Sequence, residues 1–222
     1  MLQPSTILLA AITGLISGLL LSMPIGPVNL SIINEGACRG FLRGMLVGLG
    51  ASVMELIYCT IAFTGFSSFF DSRVVKASME VFSFAFLLFL GMKFLTAKNV
   101  TTPGRIEARV GEKLHPHSAF MTGFVRVLGN LGVLLFWIVL AANFMSHDWV
   151  ADTLVAKTAC VAGVALGTNL WFCTLSYGVS RGYGRFSEST LVRMQHLSGL
   201  CLIVVGLFDG GHIVWQLAKH KI

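Results

Sequence analysis

The sequence predicts an all-α polytopic membrane protein, with six transmembrane helices forming two inverted three-helix repeats and the first helix broken. Three observations predict it. The 222 residues are 55% hydrophobic and only 12% charged, where a soluble domain carries about a quarter charged; mean hydropathy is +0.80. The charges fall between six apolar runs, at 6–33, 41–66, 76–96, 118–144, 150–178 and 194–217. The two halves of the chain also resemble each other faintly.

A hydrocarbon core of ~30 Å needs about 20 helical residues. The runs 6–33, 118–144 and 150–178 exceed that length, so they must tilt, break or project into the interface. The first run contains its own reason to break, Ser22-Met-Pro-Ile-Gly-Pro-Val-Asn29. Pro24 removes the N–H that would bond the Leu20 carbonyl, and Pro27 does the same for Met23. The residues before them, Met23 and Gly26, are pushed toward extended backbone. Pro27 suits the start of a second half-helix, and Asn29 can bond the freed backbone. A bare backbone group in lipid costs several kcal/mol, so the break must be buried in protein or line a wet cavity. A half-helix N-terminus there favours an anion such as a carboxylate.

The second run carries Gly44-x-x-x-Gly48 and then Glu55 near its middle. An ionisable residue at that depth is expensive and marks function by default. Glu55 is therefore the candidate for proton exchange. The third run is rich in Phe (Phe82, Phe84, Phe86, Phe89) and reads as lipid-facing. The fourth holds Arg126, placed either to snorkel to the surface or to meet a substrate carboxylate, and Asn130. The fifth repeats Gly163-x-x-x-Gly167 and adds Asn169. Asn130 and Asn169 could line a cavity or act as polar glue between helices. The sixth carries Asp209 and His212, three apart on one face, either an outer proton gate with Glu55 or simply interfacial residues.

Lys and Arg set the orientation. Ten of the sixteen (Arg39, Arg43, Lys93, Lys98, Arg105, Arg109, Lys113, Arg181, Arg185, Arg193) fall on one side, and five (Arg73, Lys76, Lys157, Lys219, Lys221) on the other. The richer side is cytoplasmic, and both termini face outward. The start lacks a basic n-region, so the first run is expected to stay as a span rather than be cleaved as a signal. The chain reads as one integral membrane domain over 1–222, with repeat one at about 6–96, a cytoplasmic linker at 97–117 and repeat two at about 118–217. An odd number of spans per half inverts one half relative to the other, the plan of secondary transporters. Gly44 and Gly48 align in this reading with Gly163 and Gly167, and Gly91 with Gly206.

The residues Pro24-Ile-Gly-Pro-Val-Asn29, the following Arg39-Gly40, the glycine ladder and Glu55 resemble the LysE-type translocator (LysE/RhtB) family. The likeness extends over nearly the whole chain in length, span number and long middle loop. Ile25 is an insertion in the family's Pro-Gly-Pro-x-Asn signature. Asn130-Leu131-Gly132 stands where the family carries an Asn-Pro-Lys type motif, so the proline that would hinge the fourth span and its cation are both absent. The resemblance implies gradient-driven export of amino acids or related metabolites across the bacterial inner membrane, as a multi-pass protein. It assigns Pro24, Gly26, Pro27 and Asn29 to the break and Glu55 to the acidic position.

The reading that follows is a secondary exporter coupled to protons, with an amino acid-like substrate, protons and lipid as partners. A homodimer through the Gly40, Gly44 and Gly48 stripe is a further partner that the pattern allows. The alternatives are a membrane scaffold and, behind it, an intramembrane enzyme. No nucleophile constellation or cofactor fingerprint supports an enzyme. Neither a cofactor, a metal nor nucleic acid is expected: His115-Pro-His117 reads as a solvated loop, and the five cysteines lack metal spacing.

Overall fold

In a computed structural model the chain is built from helices, and the residues described are 4–24, 26–65, 73–98, 118–183 and 188–218. The side chains of Asp209 and His212, residues 99–117 with His115 and His117, and Ile25 lie outside that description. The helices are α1 (Pro4–Ser22), α2 (Pro27–Arg39), α3 (Phe41–Gly65), α4 (Arg73–Leu95), α5 (Ala119–Leu128), α6 (Leu131–Ser146), α7 (Leu154–Gly178) and α8 (Glu188–Ala218).

Four of the described helices are long and apolar enough to cross a bilayer, and α5 with α6 makes a fifth when the bent pair counts as one span. In α4 only Phe84–Leu95 qualifies, as a shorter apolar stretch. The chain is thus a multi-pass helical membrane protein. Large apolar side chains stand outward along the bundle, among them Leu8, Ile16, Leu166, Val204 and Phe208, as a lipid solvent permits. The Phe-rich run divides. Phe82 and Phe89 are exposed, while Phe86 packs on Phe136 of α6.

The first predicted span is indeed two helices. Gly40, with φ +87°, turns α2 into α3 in a left-handed conformation that favours glycine. The fourth run is also two helices, bent by 66° between α5 and α6. That bend forms without the proline whose absence argued against a hinge there.

Small residues set the packing, because lipid gives no hydrophobic drive and close contact must come from van der Waals fit. Helix α1 runs parallel to α7. A methyl added at Gly14 would strike the Cys160 carbonyl, and one at Gly163 the Ala11 carbonyl. Helices α3 and α5 clasp in the same way, with Gly123 against the Val47 carbonyl and Gly50 against the Phe120 carbonyl. Antiparallel α4 and α8 meet at Gly91 and Gly199, each against the other's carbonyl. Helices α3 and α7 cross antiparallel at the centre, with Gly44 on Ser176 and Gly48 on Phe172. The glycine stripe of α3 is therefore buried within the chain rather than offered to a second copy.

Candidate functional site

The first break is closed by one side chain. Asn29 Nδ2 donates to the Ser22 carbonyl at 2.8 Å and to the Pro24 carbonyl at 2.7 Å. Its Oδ1 accepts from Trp171 Nε1 of α7 at 3.2 Å. Asn29 is 3% exposed, so the amide works inside protein. Gly26 is extended at the start of α2, Pro27 follows at the first helical position, and no side chain caps this end.

The second break uses different residues for the same task. Asn130 Oδ1 accepts from the Gly132 N–H at 3.1 Å, the donor that a continuous helix would give to Leu128. The Leu128 carbonyl accepts instead from the Tyr58 hydroxyl of α3 at 2.8 Å. Asn130 is thus the N-cap of α6, which accounts for a hinge without proline.

Glu55 lies between the two breaks. The Thr168 hydroxyl of α7 is 3.4 Å from Glu55 Oε2 and 3.5 Å from the Gly18 carbonyl of α1. Beside them Asn169 Nδ2 donates to Ser52 Oγ and to the Ala165 carbonyl, both at 2.8 Å. Trp171, tied to the first break, is one turn beyond Thr168 on α7. Tyr58, tied to the second, is one turn beyond Glu55 on antiparallel α3. The breaks therefore flank the Glu55–Thr168 pair from opposite sides. Among the described residues no cation lies within ion-pair distance of Glu55; the described pairs are Arg39–Glu35 and Lys157–Asp152.

The fold thus gathers Pro24, Gly26, Pro27, Asn29, Glu55, Asn130 and Asn169 around one level of the bundle. Asn29, Asn130 and Asn169 all spend hydrogen bonds on protein. Arg126 is half-buried on α5, one turn before the second break, and its Nε has no hydrogen-bond partner. Asp209 and His212 lie on α8, with their side chains outside the described set. No group of three or more His, Cys, Asp or Glu among the described residues could hold a metal.

Sequence reasoning missed Thr168, Trp171, Tyr58 and Ser52. Tyr58 and Trp171 were findable, since a buried Tyr or Trp carries a polar handle that needs a partner. Thr168 was not, because a threonine in a membrane helix usually bonds its own backbone.

The profile of the LysE type translocator family matches residues 19–208. A Bacillus subtilis (strain 168) protein named "Putative amino acid efflux protein YcgF" is 27% identical over 203 residues, covering 91% of this chain and 96% of that protein. No solved structure matches the chain. The helical membrane bundle, the signature at its first break and the match over most of its length agree: this chain belongs to the LysE type translocators, a family of transporters and not of enzymes.

Proposed function

We propose that the chain exports an amino acid or a related small metabolite across the bacterial inner membrane, driven by proton entry through Glu55. The observation that carries this reading is the Glu55 carboxylate, held between two interrupted helices and unmatched by any described cation. A relative named for amino acid efflux supports the substrate class. The uncapped start of α2 offers positive dipole to a substrate carboxylate, and Arg126 is a second candidate for that contact.

The inverted repeat is supported by reciprocal packing. The carbonyl–glycine clasp of α1 on α7 recurs as that of α5 on α3, and α4 meets α8 glycine to glycine. In that register Gly50 matches Gly163, so the earlier alignment of Gly44 and Gly48 with Gly163 and Gly167 is shifted. Glu55 and Thr168, each five residues beyond its glycine, then occupy matching places.

Thr168 has one hydroxyl proton for two acceptors. With Glu55 ionised it serves the carboxylate; with Glu55 protonated it is free for the Gly18 carbonyl, one turn before the first break. This gives Glu55 a route to bias α1. The end near Arg39 is closed, with Ser176 Oγ donating to the Phe41 carbonyl at 2.8 Å, while α3 and α7 separate toward the other end. Rocking of the two broken helices would exchange those states. Asp209 and His212 are proposed as the outer proton gate, and any homodimer would use a face other than the spent glycine stripe.

One proton crossing about 100 mV supplies ~2.3 kcal/mol, roughly a 50-fold gradient at ~1.4 kcal/mol per decade. A cationic substrate leaving against an inside-negative potential would cancel most of this. In everted vesicles, Glu55→Gln should collapse the gradient-driven accumulation, roughly 50-fold at most for one proton, to no accumulation with insertion intact. Full accumulation by that variant, still collapsed by an uncoupler, would remove Glu55 as the proton carrier.

A further inference from the structure

Where α3 and α7 separate they leave an open groove of about 270 Å³, lined by Leu56, Phe63, Leu154, Val161, Ala162 and Ala165, among others. It begins at the level of the Glu55–Thr168 pair, since Leu56 follows Glu55 and Ala165 is one turn before Thr168. From there it runs toward Leu154 at the opposite end of the bundle from Arg39.

The polar residues on its wall have little left to offer. Thr60 donates to the Leu56 carbonyl at 2.7 Å, Thr64 to the Thr60 carbonyl at 2.8 Å, and Thr158 to the Leu154 carbonyl at 2.9 Å. Each hydroxyl proton is spent on its own helix. Lys157, the one charged residue of the lining, is paired with Asp152.

We propose that this groove receives the substrate's side chain, and that the exported substrates are amino acids with aliphatic or aromatic side chains, their polar head at Glu55. The inference rests on the export reading above. A charged side chain in the groove would lose its water and gain no partner, because Lys157 is already matched and no acidic residue lines the wall. A leucine-sized group loses only water. The volume admits one such side chain with its α-carbon. Apolar pockets of this kind discriminate by size, roughly 10–200-fold per methylene.

The test uses the full chain in energised everted vesicles with labelled leucine, phenylalanine, alanine, threonine, lysine and glutamate. Leucine and phenylalanine should accumulate at least tenfold above lysine and glutamate. Ala162→Phe, at an exposed position on the groove wall, should raise KM for leucine at least tenfold and lower leucine uptake far more than alanine uptake. Val161→Ala, which only removes methyl groups, should move the preference from leucine toward phenylalanine by about tenfold and stands in for Ala162→Phe if that variant does not insert. Lysine or glutamate carried as well as leucine, or preferences unmoved by both variants, overturns this inference and leaves export standing, with the groove then holding a lipid chain. No member of the panel carried by correctly inserted protein overturns the export reading, and this inference with it.

Discussion

Asn29 holds open a break that lipid would otherwise forbid. Its two amide hydrogens meet the Ser22 and Pro24 carbonyls at the break, and its oxygen meets Trp171. The sequence reading that Asn29 can bond freed backbone describes what the side chain does in the fold, where it braces the broken helix. Asn29→Ala leaves both carbonyls bare, at roughly 1–3 kcal/mol each. Denaturant unfolding in detergent should show that loss. An unchanged midpoint would mean that the break does not depend on the amide. Glu55 was legible because a carboxylate in an apolar run has few bland explanations. Thr168 was not, because its partners, Glu55 and Gly18, are remote in sequence and are brought to it only by the crossing of α1, α3 and α7.

At the scale of elements, glycine decides which helices can touch. Gly123 and Gly14 sit where a side chain would enter a neighbour's backbone carbonyl. Gly123→Leu must push α5 from α3 and should abolish monodisperse protein in detergent. Gly65→Ala, with nothing within 4 Å of the added methyl, should leave the elution profile unchanged. Normal elution of Gly123→Leu would deny the clasp. The boundaries of α3 and α7 were readable to within a few residues from hydropathy. The second break was not, because its signal is a capping asparagine and a tyrosine from another helix rather than a proline. Spacing likewise shows that a glycine stripe exists but not which neighbour it faces.

For the whole molecule, the Lys and Arg asymmetry predicts that both termini face outside. A reporter fused after Ile222 should be active only outside the cytoplasmic membrane, and cytoplasmic activity would reverse the orientation. In that predicted orientation the closed end near Arg39 would be cytoplasmic and the groove between α3 and α7 would open outward.

Composition and hydropathy by themselves determined that this chain is a membrane-embedded helical bundle, and the Pro-x-Gly-Pro-x-Asn signature determined where its first helix breaks. Both follow from local physics: solvent choice is set by side-chain polarity, and proline acts on the backbone next to it. Only the tertiary structure decided that a second break exists, that both flank Glu55, and that Thr168 joins that carboxylate to α1. Those facts depend on contacts between residues 70 to 150 apart in sequence, and close approach of backbones through glycine is what brings them within reach.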